Sequence, residues 1–305
     1  MFSVLYVTAQ SGEPPMPAAT TGKVVLITGG SDGLGKAAAI LLAERGYRIV
    51  AAGRSRKKLA EMETLAAEKK LPLSTVGLDV CSDESVREAV QWVIGQYGAI
   101  DVLINNAGVG YMAAVEEIAM ADFKQQFETN LFGVLRVTQA VLPNMRERRS
   151  GRILMISSVA GLVSPPTYGA YSSSKHALEG LSNALRLELY PFGIRVVLVE
   201  PGYIATNFQQ TAKDLAQPYA EKAAASPYQK IYEGAWKGAN KGRGGSKTTP
   251  EDCARVMLEA IEAPNPRVRY GVTPLANLVK WGKRLASDRV LDQFVRRYYG
   301  VGSPD

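Results

Sequence analysis

Thr28-Gly29-Gly30-Ser31-Asp32-Gly33-Leu34-Gly35 follows the apolar run Val24-Val25-Leu26-Ile27 and leads into residues 36–45, whose apolar spacing is helical. Glycines at 29, 33 and 35 permit a tight turn, let backbone approach a pyrophosphate and allow a helix to pack closely on a strand. The helix N-terminus presents free N–H donors to the same anion. A glycine-rich turn by itself is a weak signal; strand, turn and helix in succession are the context that it needs.

The same alternation runs on from this unit. Short apolar runs recur at 23–28, 47–53, 73–78, 100–105, 151–157, 194–200 and 267–272, each followed by a longer segment with helical periodicity. The runs are apolar on both faces, which suits a parallel sheet covered by helices on either side. The expected fold is α/β, a Rossmann-like doubly wound parallel sheet of about seven strands. The rhythm passes residue 151 without a linker, so one domain over 22–305 is expected despite the length of 305 residues. Residues 1–21, rich in Pro, Gly, Ala and Thr after residue 10, read as a flexible N-terminal extension. An interval at 203–249, carrying Phe208, Tyr219, Tyr228, Tyr232 and Trp236, is too long for bare loop. It is either a lid or binding segment, or a surface helical pair with its own small core. A C-terminal extension, 273–305, places Leu275, Leu278, Val279, Trp281 and Leu285 at helical spacing, and these could wall an apolar pocket.

Composition narrows the function classes. A hydrophobic content of 46% supports a substantial core. The formal charge of +7 is spread along the chain, its densest cluster (54–58) is short, and no recognition motif accompanies it, so no nucleic-acid partner is expected. Residues 1–6 are apolar but too short to span a bilayer and lack a basic flank, so no transmembrane segment is expected. Cys81 and Cys253 are too few for a disulfide framework and lack the companions of a zinc site, which points to a reduced, cytoplasmic setting with no metal. His176 is the one histidine, so a Ser-His-Asp triad would have to use it. It follows Lys175 and points about 100° away around a helix, which suits a structural role.

Tyr171 and Lys175 are four apart in a helical stretch and share a face. Carbonyl reduction needs a proton donor at the developing alkoxide, and a tyrosine serves if a neighbouring ammonium draws its pKa of about 10 downward. The pair alone means little. Ser158 stands thirteen positions before Tyr171 at the end of a strand, where a hydroxyl could join the phenol; Ser157 is the competing candidate but would point to the opposite face.

The turn spacing Thr-Gly-x3-Gly-x-Gly, the Ser158–Tyr171–Lys175 spacing and Asn130 within Phe127-Glu128-Thr129-Asn130-Leu131-Phe132-Gly133 together resemble the short-chain dehydrogenase/reductase family, over residues 22–272. The resemblance implies an oxidoreductase that interconverts a carbonyl and an alcohol with a nicotinamide dinucleotide. It implies a catalytic set of Asn130, Ser158, Tyr171 and Lys175, with Asn130 holding a water of a proton relay to the lysine. The cofactor residues it implies are Gly29, Ser31, Gly33, Leu34 and Gly35 of the turn, Asp79 at the adenine, and Asn106, Ala107 and Gly108 along the cleft. Pro201, Gly202 and Thr206 would flank the nicotinamide, and Tyr171 and Lys175 would reach its ribose.

Where NAD-specific relatives carry an acidic residue after the second strand, this chain has Gly53 and then Arg54, whose guanidinium fork suits a 2′-phosphate. NADP (NADPH) is therefore expected over NAD. Asp32 argues the other way, since its charge would oppose the phosphate unless it turned to solvent at the helix N-terminus. The insertion and C-terminal tail resemble the variable ends of hydroxysteroid and retinol dehydrogenases and suggest a bulky apolar ketone or alcohol. The helices expected at 122–142 and 171–190 resemble the pair that joins family homodimers and homotetramers. The alternatives are an NAD-dependent alcohol dehydrogenase of the same fold and an inactive NADP-sensing protein.

Overall fold

The computed structural model describes residues 22–245 and 247–301; the extension expected at 1–21 and the end of the 273–305 segment lie outside the described residues. Seven strands, β1 (Val24–Thr28), β2 (Arg48–Gly53), β3 (Leu73–Gly77), β4 (Val102–Asn105), β5 (Gly151–Ile156), β6 (Ile194–Glu200) and β7 (Arg269–Gly271), lie where the apolar runs put them. All pair in parallel, in the order β3-β2-β1-β4-β5-β6-β7. The order reverses between β1 and β4, and in such sheets the crevice beyond the strand C-termini at that point receives the ligand.

Alternation along each strand sends side chains to two cores. Val24 and Leu26 pack with Val90 of α3 (Asp83–Tyr97), Val137 of α5 (Gly133–Glu147) and Leu178 of α6 (Gly169–Leu189). Val25 and Ile27 pack on the other face with Leu42 of α1 (Gly33–Glu44), Met62 of α2 (Arg56–Lys69) and Met257 of α9 (Pro250–Glu262). Apolar burial on both faces is why inner strands such as β1 and β4 read as apolar runs, whereas the edge strands β3 and β7 are less buried.

The starts of α1, α2 and α3 are set by side-chain caps. Ser55 Oγ accepts from Lys58 N, and Ser82 Oγ accepts from Ser85 N. Asp32 caps α1 through Gly33 N at 2.8 Å, so that helix begins inside the glycine turn rather than at residue 36.

The interval 203–249 holds α7 (Asn207–Ala220) and α8 (Gln229–Gly245), with a small cluster of Ala114, Ala223 and Tyr232 beneath them. It is thus a helical pair, and the same helices border the cavity described below. The tail forms α10 (Pro274–Leu285) and α11 (Asp288–Tyr299). Tyr299 sits against Gly234 and Gly238 of α8, where any side chain at either glycine would collide with it. One expectation fails here: of Leu275, Leu278, Val279, Trp281 and Leu285, only Leu275 borders the cavity. Ala276 occupies the inward position of α10 at 0% exposure, which turns Leu278, Trp281 and Leu285 outward at 63%, 59% and 85%.

Candidate active site

The glycine turn closes one end of a cavity of about 970 Å³. Gly29 and Gly33 take φ of +63° and +49°, backbone that L side chains rarely adopt. Gly35 packs on the turn itself: a Cβ there would collide with Gly29 O and Asn106 Nδ2. Asn106 locks the turn from β4, donating from Nδ2 to Thr28 O at 3.0 Å and Gly29 O at 3.1 Å. Thr28 Oγ1 accepts from both Asn106 N and Ala107 N at 3.0 Å, so β1 and β4 fix each other's C-terminal turns. Gly29 and Gly33 of the resulting cradle border the cavity without a side chain, which fits close approach of a dinucleotide pyrophosphate.

Gly29, Ser31, Gly33, Leu34, Arg54, Asp79, Asn106, Ala107, Gly108, Pro201, Gly202 and Thr206 all border this cavity, with Ser158, Tyr171 and Lys175. Gly35 and Asn130 do not; they act from behind the wall. Asp79 is oriented by Cys81 N, which donates to its Oδ1 at 3.0 Å, and Leu78 and Val80 border the cavity beside it. Asp32 is held by Gly33 N, by Asn207 Nδ2 at 2.9 Å and by a short ion pair with Lys58. Partial burial would raise its carboxyl, but the hydrogen bonds from Lys58, Asn207 and Gly33 outweigh that and hold it below its usual value.

Tyr171 and Lys175 rise from α6 on one face, with the lysine Nζ 5.8 Å from the tyrosine ring centroid. Lys175 is 6% exposed and donates to Ile156 O at 2.8 Å. Ser158 hydrogen-bonds the Tyr171 phenol, and its Oγ accepts from Ala160 N at 3.1 Å. Phe208 of α7 packs 5.8 Å from the Tyr171 ring and Tyr168 6.4 Å away. Burial pushes Tyr171 up to about 12, with Ser158 pulling the other way. It pushes Lys175 down to about 8, opposed by the Glu179 carboxylate. The expected lowering of the tyrosine by the ammonium is therefore not what this pocket does on its own: desolvation is the largest influence on both groups.

Asn130 lies in a π-helical turn, Glu128–Phe132, between α4 (Met120–Phe127) and α5. The expected continuous helix over 122–142 is divided by this turn. Asn130 is 0% exposed; Oδ1 accepts from Val109 N at 2.9 Å, and Nδ2 donates to Val109 O at 3.0 Å and Ser174 Oγ at 3.3 Å. Ser174 in turn donates to Tyr171 O at 2.7 Å, so this asparagine ties the cleft loop to the backbone under the tyrosine. Gln126, four residues earlier and buried, grips the same loop through Val109 O and Tyr111 N, both at 2.7 Å. His176 bonds Ser172 O through Nδ1 at 2.9 Å, within its own helix.

Behind Lys175 lies a buried charge cluster that sequence spacing did not reveal. Arg269 of β7 pairs with Glu200 at 2.6 Å and, by a short contact, with Glu179. Burial pushes Glu179 up, against the Ser157 and Arg269 groups that hold it back. Past Tyr171 the cavity continues between Met112, Tyr168, Phe208, Tyr232, Trp236, Leu275, Tyr298 and Tyr299. Among the described residues no group of three or more His, Cys, Asp or Glu could hold a metal ion.

Comparison with known proteins agrees with this geometry. A family model described as short chain dehydrogenase matches residues 23–216. A 3-ketodihydrosphingosine reductase of Bacteroides thetaiotaomicron is 36% identical over 285 residues, covering 92% of this chain and 98% of the relative. Retinol dehydrogenase 8 of Bos taurus is 36% identical over 255 residues, 81% of this chain and 80% of the relative. A short chain dehydrogenase/reductase of Burkholderia phymatum, solved with NAD, superposes with TM-score 0.76 at 27% identity, over 90% of this chain and 96% of that one. An actinorhodin polyketide ketoreductase solved with NADPH gives 0.70 at 30% identity, over 82% and 95%.

Proposed function

The chain belongs to the short chain dehydrogenase family, an oxidoreductase acting on CH–OH and C=O groups, and from that premise we propose an NADP(H)-dependent enzyme for a bulky apolar ketone or alcohol. The observation that carries the proposal is the meeting of Ser158, Tyr171 and Lys175 midway along one cavity, with the glycine cradle at one end and an aromatic chamber at the other. A non-catalytic nucleotide sensor would have no need of that convergence.

The dinucleotide, when bound, supplies or takes up hydride at the substrate carbon. Gly29, Ser31, Gly33, Leu34 and the Gly35 packing would hold its pyrophosphate, Asp79 its adenine side, and Asn106, Ala107, Gly108, Pro201, Gly202 and Thr206 its nicotinamide half. Tyr171, protonated at neutral pH because burial holds it near 12, is in the form that donates a proton to the carbonyl oxygen in reduction. Ser158 donates to the same oxygen as charge develops on it. Lys175 lends positive charge beside the phenol and a donor to the ribose. Asn130 is a positioning residue, fixing Val109 and, through Ser174, the backbone at Tyr171.

NADP preference is supported by Arg54 bordering the cavity after Gly53, and by the engagement of Asp32 with Lys58, Asn207 and Gly33, which leaves its charge compensated. The apolar substrate is supported by the chamber walls from α7, α8, α10 and α11. A homo-oligomer through α4–α5 and α6 is supported by Phe132, Leu187 and Tyr190, exposed at 48%, 70% and 64%. One domain spanning 22–305 and a reducing, cytoplasmic setting complete the reading, the latter supported by the free Cys81 and Cys253. The test is turnover of steroid, retinoid, fatty-acyl and aromatic ketones with NADPH and with NADH. The highest kcat/KM should fall on a bulky apolar ketone with NADPH; a best substrate that is small and polar would overturn the assignment.

A further inference from the structure

The last two helices carry an apolar face that the cavity does not use. On α10, Leu278, Trp281 and Leu285 are 63%, 59% and 85% exposed; on α11, Val290 and Phe294 are 54% and 52% exposed. These positions recur three and four apart, so each helix presents one apolar stripe. The helices are joined by Ala286 and Ser287 alone, and Leu291 packs at Gly282. On the helical wheel Trp281 and Leu285 lie roughly 100° and 60° to one side of Gly282, and Val290 and Phe294 lie the same way from Leu291, so both stripes border the same seam.

Charge on the pair is one-sided. Residues 274–299 contain Lys280, Lys283, Arg284, Arg289, Arg296 and Arg297 against Asp288 and Asp292, a net of +4 out of the whole chain's +7. Apolar and aromatic residues on one face with Lys and Arg around them is the chemistry of a helix that lies in a membrane interface rather than across it. No helix among the described residues is long and apolar enough to cross a membrane.

The face is also continuous with the cavity mouth. Leu275, one turn before Leu278, is 38% exposed and borders the cavity, as do Trp236, 45% exposed, and Tyr298 and Tyr299 of α11. We propose that the α10–α11 pair is a peripheral docking surface that seats the cavity mouth on an anionic phospholipid bilayer. Docking needs only this face. That an apolar substrate then enters directly from the bilayer rests on the function proposed above.

Vesicle co-sedimentation without any substrate separates the two claims. The full chain should sediment with phosphatidylcholine vesicles containing about 30% phosphatidylserine, and less so as salt rises over a Debye length's worth of screening. Leu278→Glu/Leu285→Glu should weaken binding at least about tenfold while keeping turnover of a water-soluble ketone, because neither side chain borders the cavity. Should that variant fail to fold, Arg289→Glu/Arg296→Glu on the exposed polar side should weaken binding to the anionic vesicles. Absence of vesicle binding, or binding that both variants leave unchanged, overturns the proposal. So does light scattering in which Leu278→Glu/Leu285→Glu splits an oligomer that never binds vesicles, which would assign the face to a second copy of the chain.

Discussion

Replacing Arg54 by Ala should raise the KM for NADPH by roughly tenfold to a hundredfold and leave that for NADH nearly unchanged. β2 ends at Gly53, which has no side chain to meet the 2′ position, and Arg54 is the next residue, exposed at the cavity edge. A hydrogen bond to a charged group contributes about 1.5–3 kcal/mol, and each 1.4 kcal/mol is a factor of ten. Asp32, an opposing charge, borders the same cavity, and its geometry supplies a second perturbation. Lys58→Met removes the ion pair and leaves the carboxylate with only Gly33 N and Asn207 beside the phosphate position. For an assumed separation of about 7 Å, one unit charge at an effective dielectric between water and a protein surface gives roughly 0.6–2.4 kcal/mol, or about threefold to sixtyfold against NADPH. The assay is initial-rate kinetics with both cofactors at low and high ionic strength, since the electrostatic part should shrink as salt rises. Equal efficiency of NADPH and NADH in the unaltered enzyme would refute the reasoning. An Arg54→Ala enzyme that lost NADH and NADPH alike would refute it too.

Tyr171→Phe should abolish most turnover while dinucleotide affinity, read by fluorescence titration, stays within about threefold, because the ring keeps its packing on Phe208 and Tyr168 and only the proton donor is lost. The pH profile of reductive kcat/KM should show an alkaline limb near 8, where Lys175 loses its charge as pH rises through its depressed value, while Tyr171 near 12 stays protonated; a profile flat to pH 10 would contradict this. Arg269→Leu strands Glu179 and Glu200 without their counter-charge and should cost about 3–5 kcal/mol, lowering Tm by roughly 5–15 °C. Glu179, already pushed up by burial, then loses the Arg269 charge that holds it back, so its folded pKa lies further above the unfolded one and the deficit should grow as pH rises above about 4.5; a pH-independent deficit would argue against a charge origin. Light scattering at micromolar concentration should report a homo-oligomer, and a particle of about 33 kDa alone would exclude it.

The sheet could be read from the chain because two-sided burial leaves the inner strands as largely apolar runs, and all seven runs became strands within two residues of the expected ends; the edge strands β3 and β7, less buried, carry the weaker pattern. The residues around Tyr171 could be read because a helix fixes the four-residue spacing to Lys175 and the end of β5 fixes Ser158. Other features depend on contacts distant in sequence. Glu179, Glu200 and Arg269 come from α6, β6 and β7 and meet only once the sheet is assembled. The apolar spacing of α10 is the same whichever way the stripe points; Ala276, packed inward, decides it. The fate of Asp32 likewise turned on Lys58, twenty-six residues away in sequence, which no local pattern pairs with it.

The π-helical turn at Glu128–Phe132 has a meaning beyond holding Asn130. A turn with one extra residue is a phase shift: it lets the segment before it serve the cleft loop through Gln126 while the segment after it serves the sheet through Val134 and Val137. The two halves are thus indexed independently. Deleting a single residue there, Thr129 for example, would close the wide turn into a regular α-helix and remove the offset that presents Asn130. The grip of Asn130 on Val109 and Ser174 would be lost while the flanking helices stayed near their places. At this point in the chain the length of the polypeptide, more than the identity of any side chain, carries the information that aligns catalysis with the fold.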